Sequence, residues 1–118
     1  MTELHIPFRL PGYNKAHNEA RTHWAKAAAT KKQYTNDIAW LCREQKLQPI
    51  KEKVDIDILW GTYKDCRDPD NIASGCKYAI DGLVLGGILE GDTRKYIGKI
   101  SHDFDDGTSI TIVRLEQS

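Results

Sequence analysis

The chain has 118 residues, of which 40% are hydrophobic and 29% charged, and its formal net charge is zero. This length and composition predict one globular domain covering residues 1-118. Zero net charge argues against a generally basic nucleic-acid binder, and the lack of a long apolar stretch argues against a membrane protein. Three cysteines without paired spacing predict reduced thiols, and hence a cytoplasmic location, and disfavour a zinc site.

The charges are nevertheless divided unevenly along the chain. Met1 to Lys53 carries ten Lys and Arg against five Asp and Glu, whereas Val54 to Ser118 carries seven against twelve. A basic first half would suit the binding of phosphates, and an acidic second half would suit the binding of metal. The alternative is an ordinary solvated surface.

The first half of the chain predicts one strand and one long helix. Residues Leu4 to Leu10 alternate weakly and predict a strand that Pro11-Gly12 ends. Asn18 is a suitable N-cap for a helix from Glu19 to Glu44. The apolar side of this helix has helical spacing and predicts a core face, formed by Trp24, Ala27, Ala28, Tyr34, Ile38 and Leu41.

A second strand is predicted from Val54 to Trp60, because apolar and polar residues alternate there. Its polar face carries Asp55 and Asp57, two acids with one residue between them. Solvent exposure is the default expectation for them, but they are also the main rival pair for a metal site.

The stretch from Arg67 to Asn71, which we call the acidic motif, carries Asp68 and Asp70 on either side of Pro69. In an extended segment residues i and i+2 point the same way, and proline biases the residue before it toward an extended conformation. Two neighbouring carboxylates repel each other unless a cation lies between them, and Mg²⁺ binds through a few carboxylate oxygens and several waters. Ordinary turn and N-cap chemistry is the alternative explanation of this sequence.

A helix is predicted directly after the motif, from Ile72 to Leu85, ended by a pair of glycines. Lys77 lies seven residues after Asp70, and this spacing puts the two on one face of a helix. The lysine is then either a phosphate contact or proton donor, or an ordinary solvated charge. Asp92 follows the glycines and would close a metal site from the far end of the helix.

Two strands complete the predicted elements. They run from Lys95 to Phe104 and from Ser109 to Leu115, and Asp105-Asp106-Gly107 between them predicts a hairpin turn. The element order predicts an α+β single domain, with a small mixed β-sheet and two main helices packed on it.

The acidic motif and the segment that follows it resemble the RusA-type Holliday-junction resolvases, which are metal-dependent endodeoxyribonucleases of phages and prophages. The residues that carry the resemblance are Arg67-Asp68-Pro69-Asp70-Asn71-Ile72, Lys77, Ile80-Asp81-Gly82-Leu83, Gly87-Ile88-Leu89 and Asp92. A weaker match comprises Leu10-Pro11, Asn14 and Arg21-Thr22-His23. Two departures accompany the match: the interval between Asn71 and Lys77 is about one helical turn longer than in several relatives, and Glu90-Gly91-Asp92 replaces two adjacent acids.

The resemblance implies a RusA-like fold and a function for each matching residue. Asp68, Asp70 and Asp92 would be catalytic acids that bind Mg²⁺ or Mn²⁺, and Lys77 would be the catalytic lysine. It also implies a homodimer that acts on branched DNA such as a four-way junction. The expected DNA contacts are Asn14, Arg21, Lys31, Lys32, Arg67 and Asn71, although exposed lysines such as Lys31 and Lys32 are common on any surface.

Three functions are therefore compatible with the sequence. The first is symmetric phosphodiester hydrolysis at branched DNA, in recombination and repair. The second is a non-catalytic phage module that recognises branched DNA, which would need the basic helix but no metal. The third is a metal-dependent hydrolase of small phosphate esters, which the small size and the basic first half disfavour.

Overall fold

The fold was analysed in a computed structural model that describes residues 1–12 and 24–118. Within these ranges the chain forms four strands and three helices. In chain order they are β1 (Thr2–Ile6), α1 (Trp24–Glu44), β2 (Val54–Gly61), α2 (Pro69–Ala73), α3 (Cys76–Leu85), β3 (Ile97–Asp105) and β4 (Thr111–Gln117).

The four strands form one mixed sheet in the order β1-β4-β2-β3. Strand β4 is antiparallel to both β1 and β2, whereas β2 and β3 are parallel. A parallel pair needs a crossover connection, and here α2 and α3 lie in the chain between β2 and β3. The prediction of an α+β fold, with a small mixed sheet and two main helices, is confirmed.

The predicted hairpin of the last two strands is wrong. Strand β4 pairs with β1 and β2 instead of β3, although the turn at residues 105–107 does form, with the Gly107 N–H donating to Asp105 Oδ1 at 2.8 Å. The chain then passes the end of β2, where the Tyr63 N–H donates to the Thr108 carbonyl at 3.0 Å. A turn signal specifies a reversal of direction but not which neighbour the next strand will join.

The core lies between one face of the sheet and helices α1 and α3. The alternation predicted for β2 is confirmed, because Val54, Ile56, Ile58 and Trp60 are all at most 3% exposed. Helices α1 and α3 cross where Gly82 faces Ile38, and a Cβ atom at position 82 would overlap the Ile38 side chain. Glycine therefore allows the close approach that brings α3 against α1.

The apolar face predicted for the long helix is confirmed only toward its C-terminal end. Ile38 and Leu41 are buried and Tyr34 is half-buried, whereas Ala28 is exposed and Trp24 is 79% exposed. Periodicity identifies the apolar side of a helix but not how far its neighbours extend along it. The predicted start of this helix, Asn18-Glu19, lies outside the described residues.

The first strand ends earlier than predicted, at Ile6 instead of Leu10. Pro7 follows directly and has no N–H to donate to a sheet ladder. Leu10, Pro11 and Gly12 are nevertheless buried, because they leave the sheet and pack on the acidic motif. Within residues 1–12 and 24–118, no helix is both long and apolar enough to cross a membrane.

Candidate functional site

The acidic motif follows β2 and forms the start of α2. Asp68 occupies the N-cap position with an extended backbone, φ −65° and ψ 151°, as the following proline predicts. Its carboxylate makes no capping hydrogen bond. Asp70 accepts a hydrogen bond from the Asn71 N–H at 2.9 Å. Both carboxylates are exposed, and neither has an ion-pair partner in the part of the chain that the structure describes.

The predicted continuous helix from Ile72 to Leu85 is wrong, because Ser74 and Gly75 interrupt it and divide it into α2 and α3. The Ser74 hydroxyl donates to the Asn71 carbonyl at 2.6 Å, which competes with the regular helical ladder. A Cβ at Gly75 would be tightly packed, 3.2 Å from both Leu10 Cβ and the Pro11 carbonyl oxygen. The break allows the Leu10–Gly12 segment to pack between the two helices, and it removes the helical register on which a shared face for Asp70 and Lys77 depended.

Lys77 instead lies at the centre of a small ionic network on α3. Its Nζ is 3.1 Å from Asp81 Oδ1 and 3.3 Å from Asp92 Oδ2. Lys31 of α1 also reaches Asp81, with 3.5 Å between its Nζ and Oδ2. The hydrogen bond with Asp81, reinforced by Asp92, raises the pKa of Lys77 above its usual value of 10.5. The ammonium group is therefore charged throughout the neutral pH range.

The predicted metal ligands fit a bound Mg²⁺ only in part. Within the described ranges, no three His, Cys, Asp or Glu side chains converge to hold a metal ion. Asp68 and Asp70 supply two exposed carboxylates, and Mg²⁺ needs only one or two protein carboxylates beside water and substrate phosphates. The extended geometry expected to point both side chains the same way holds at Asp68 but not at Asp70, which lies in the first turn of α2. One oxygen of Asp92, Oδ2, is engaged by Lys77 at 3.3 Å, and the role of Asp92 as a third metal ligand stays a prediction.

Arg67 connects the acidic motif to the N-terminal segment. Its Nε and Nη2 donate to the Asp65 carboxylate at 2.9 and 2.7 Å, and its Nη1 donates to the Leu10 carbonyl at 3.0 Å. The side chain of Asp65 is only 2% exposed. The hydrogen bonds from Arg67 hold the pKa of Asp65 below its usual value of 3.8. Arg67, a predicted DNA contact, thus has most of its donors occupied within the protein.

The other predicted DNA contacts lie in different environments. Asn71 is half-buried against Gly12, where a Cβ on the glycine would overlap the asparagine amide. Lys31 and Lys32 are exposed on α1. Asn14 and Arg21 lie outside the described residues.

The carboxylates of the rival pair, Asp55 and Asp57, accept hydrogen bonds inside the sheet. Asp55 Oδ1 accepts the Lys99 N–H at 2.9 Å, and Asp57 Oδ1 accepts the Ser101 hydroxyl at 2.9 Å. Both residues are half-buried instead of fully exposed. Their oxygens therefore join β2 to β3, and this favours a structural role over a metal-binding one.

Sequence patterns predicted no functional role for three polar residues that the structure places at the site: Arg9, Asp65 and Asp81. Asp81 was detectable in principle, because it follows Lys77 by four residues and such pairs meet on a helix. Asp65 and Arg9 meet across a long stretch of chain, with 3.4 Å between Arg9 Nε and Asp65 Oδ2. No local pattern signals that contact.

A comparison of the chain with models of protein families gives no match, and a search of curated proteins finds no significant match either. The likeness to RusA-type resolvases therefore rests on the residues of the acidic motif and the segment to Asp92.

Proposed function

We propose that the protein is a metal-dependent endodeoxyribonuclease that resolves four-way junctions and related branched DNA by symmetric phosphodiester hydrolysis. The observation that carries the proposal is the environment of the Asp68 and Asp70 carboxylates. They are exposed, and they have no cationic partner among the described residues, although two neighbouring carboxylates repel each other. A divalent cation is the ligand that such a pair fits.

Asp68 and Asp70 would hold Mg²⁺ or Mn²⁺. When bound, the metal would supply an activated water and neutralise charge on the scissile phosphate. The protein's own contribution is to leave both carboxylates exposed to solvent. Asp68 occupies the N-cap position of α2, yet its carboxylate makes no capping hydrogen bond, so both of its oxygens remain available to a cation.

Lys77 provides a fixed positive charge in this proposal. A lysine with a raised pKa is a poor proton donor at neutral pH, so charge stabilisation suits it better than acid catalysis. Asp81 and Asp92 hold its Nζ from two sides. Asp92 then contributes to the reaction by positioning Lys77.

Two further parts of the proposal concern the assembly and its location. A homodimer would present two identical sites related by symmetry, which suits paired cuts in two strands of a junction. The cysteines of the described chain, Cys42, Cys66 and Cys76, are all free thiols. Free thiols are consistent with a reducing cytoplasm, and recombination or repair of phage or bacterial DNA is the process that the resemblance suggests.

The test is cleavage of an immobile synthetic four-way junction, with and without Mg²⁺, beside linear duplex of the same sequence. We expect symmetric paired nicks in the junction that require the metal and disappear in Asp70→Asn, while that variant still binds the junction. Metal-independent binding without nicks would favour the non-catalytic recognition module. Hydrolysis of nucleotides but not DNA would favour a small phosphate-ester hydrolase, and equal cutting of duplex would remove the junction specificity.

A further inference from the structure

A cavity of about 320 Å³ lies beside the acidic motif. The described residues that line it come from three parts of the chain: the segment Arg9–Gly12, Tyr34 of α1, and Arg67 with Asn71 of the motif. The wall at Tyr34 is well supported, because its ring packs between those of Phe8 and Tyr78, at centroid distances of 6.1 and 5.7 Å. The cavity is therefore a formed concave surface with polar groups at one side.

The charge at this cavity is unbalanced. Two guanidinium groups, those of Arg9 and Arg67, contact the single carboxylate of Asp65. That carboxylate is almost completely buried and ionised, so it neutralises one of the two cations. Among these three groups one positive charge remains, and it lies at the cavity wall.

Arg9 is the cation that remains available. Its side chain is 56% exposed, compared with 23% for Arg67. Its contacts are long: 3.4 Å from Nε to Asp65 Oδ2 and 3.4 Å from Nη2 to the Lys64 carbonyl oxygen. Arginine has five N–H donors, and most of those on Arg9 have no partner among the described residues. Asp65 holds the Arg9 guanidinium at the cavity through its Nε alone and leaves the other nitrogens of the group to other partners.

We propose that this cavity binds a backbone phosphate of the DNA strand, with Arg9 as the direct contact and Asp65 as the positioning residue. Arginine donors match the oxygens of a phosphate in pairs. The inference rests on the proposed function, since it takes the anion to be a phosphodiester beside the one that is cut. It adds to that proposal a phosphate contact from the N-terminal segment.

The experiment compares Arg9→Gln with Arg43→Gln, a change that removes the same charge from an exposed arginine in the last turn of α1. Binding to a labelled four-way junction is measured by fluorescence anisotropy over a series of salt concentrations, with Ca²⁺ in place of Mg²⁺. Arg9→Gln should weaken binding about tenfold at fixed salt. It should also reduce the slope of log affinity against log salt by about one. Arg43→Gln should change neither.

Arg9→Lys separates a phosphate contact from a structural role. It retains the charge but not the paired donors, so the salt slope should stay near that of the wild type while some affinity is lost. If Arg9→Gln has a lower thermal midpoint than Arg43→Gln, its loss of affinity no longer separates a lost phosphate contact from lost stability. The salt slope of Arg9→Lys then decides between the two. A folded Arg9→Lys with a salt slope reduced like that of Arg9→Gln would contradict the proposal.

The two proposals fail in different ways. Equal affinity and equal salt slope in Arg9→Gln and Arg43→Gln would overturn the phosphate site and leave the nuclease intact. If the wild-type protein binds neither the junction nor the duplex, DNA is not the substrate, and both proposals are overturned.

Discussion

Two pairs of aspartates with the same spacing lie on either side of the end of β2, and they have opposite environments. Asp55 and Asp57 are half-buried, and each accepts a hydrogen bond from β3. Asp68 and Asp70 are exposed, and among the described residues their carboxylates accept one hydrogen bond, the local one from the Asn71 N–H to Asp70. An Asp-x-Asp spacing therefore does not identify a metal site by itself. What distinguishes the two pairs is whether the protein already uses the oxygens.

The largest expected effect is on cleavage. Asp68→Asn should lower the rate of junction cleavage by at least roughly 10²–10³, because it removes a charge that would hold the metal beside the scissile phosphate. Asp57→Asn is the matched control: the amide oxygen can still accept from Ser101, so the cleavage rate should stay within about twofold. Single-turnover cleavage of the four-way junction measures both. A rate that falls at Asp57 but not at Asp68 would reverse the assignment of the two pairs.

A second comparison concerns the two lysines that contact Asp81. Lys77→Met should slow cleavage by about 10²-fold, because Lys77 would supply charge to the transition state. Lys31→Met removes an exposed partner of the same carboxylate and should change the cleavage rate much less, affecting mainly DNA affinity. The rate at saturating protein separates chemistry from binding. Similar small effects of both changes would leave Lys77 with a positioning role only.

The smallest effect is on stability. It concerns Asp65, a third aspartate whose oxygens the protein already uses. Its pKa is lowered in the folded state, so its stabilising contribution is present above its usual value of 3.8 and is lost as the pH falls through the folded-state pKa. Urea unfolding between pH 3 and 6 should show this loss in the wild type. Asp65→Asn should lower the free energy of unfolding near pH 6 by about 2–3 kcal/mol, because two guanidinium groups lose their carboxylate.

Asp68→Asn is the control for that measurement. Asp68 is exposed and unpaired among the described residues, so its substitution should change the free energy of unfolding by less than about 0.5 kcal/mol at any pH in the series. A pH dependence that survives in Asp65→Asn would show that other carboxylates cause it.

Local patterns predicted most of the elements but few of the contacts between them. The alternation from Val54 to Trp60 predicted β2 correctly, and the sheet is mixed as expected. The predicted hairpin was wrong because β4 pairs along both its edges, with β1 and β2, and the turn before it does not specify these neighbours. The helix after the motif was predicted as one element because Gly75 is tolerated in helices. Its break depends on the distant Leu10–Pro11 segment, which packs against that glycine.

The candidate site shows the same division. Proline chemistry predicted the extended backbone at Asp68, and the structure has it. The partners of Lys77 were not predicted, since Asp92 reaches it from beyond the end of α3. The pairing of Arg9 with Asp65 could not have been found from the sequence at all, because it joins two residues through the fold and follows no periodicity.

The position of β4 in the sheet also determines when the protein can fold. Strand β4 is the last strand along the described chain, yet it lies between the first two, with Leu115 paired to Thr2 and to Ile56. Strands β1 and β2 therefore have no shared partner until β4 has been synthesised. Such distant pairings make folding slow for a chain of this size. We expect the acidic motif to remain without a rigid support on the ribosome until β4 emerges, so assembly of the site would be among the last events of folding.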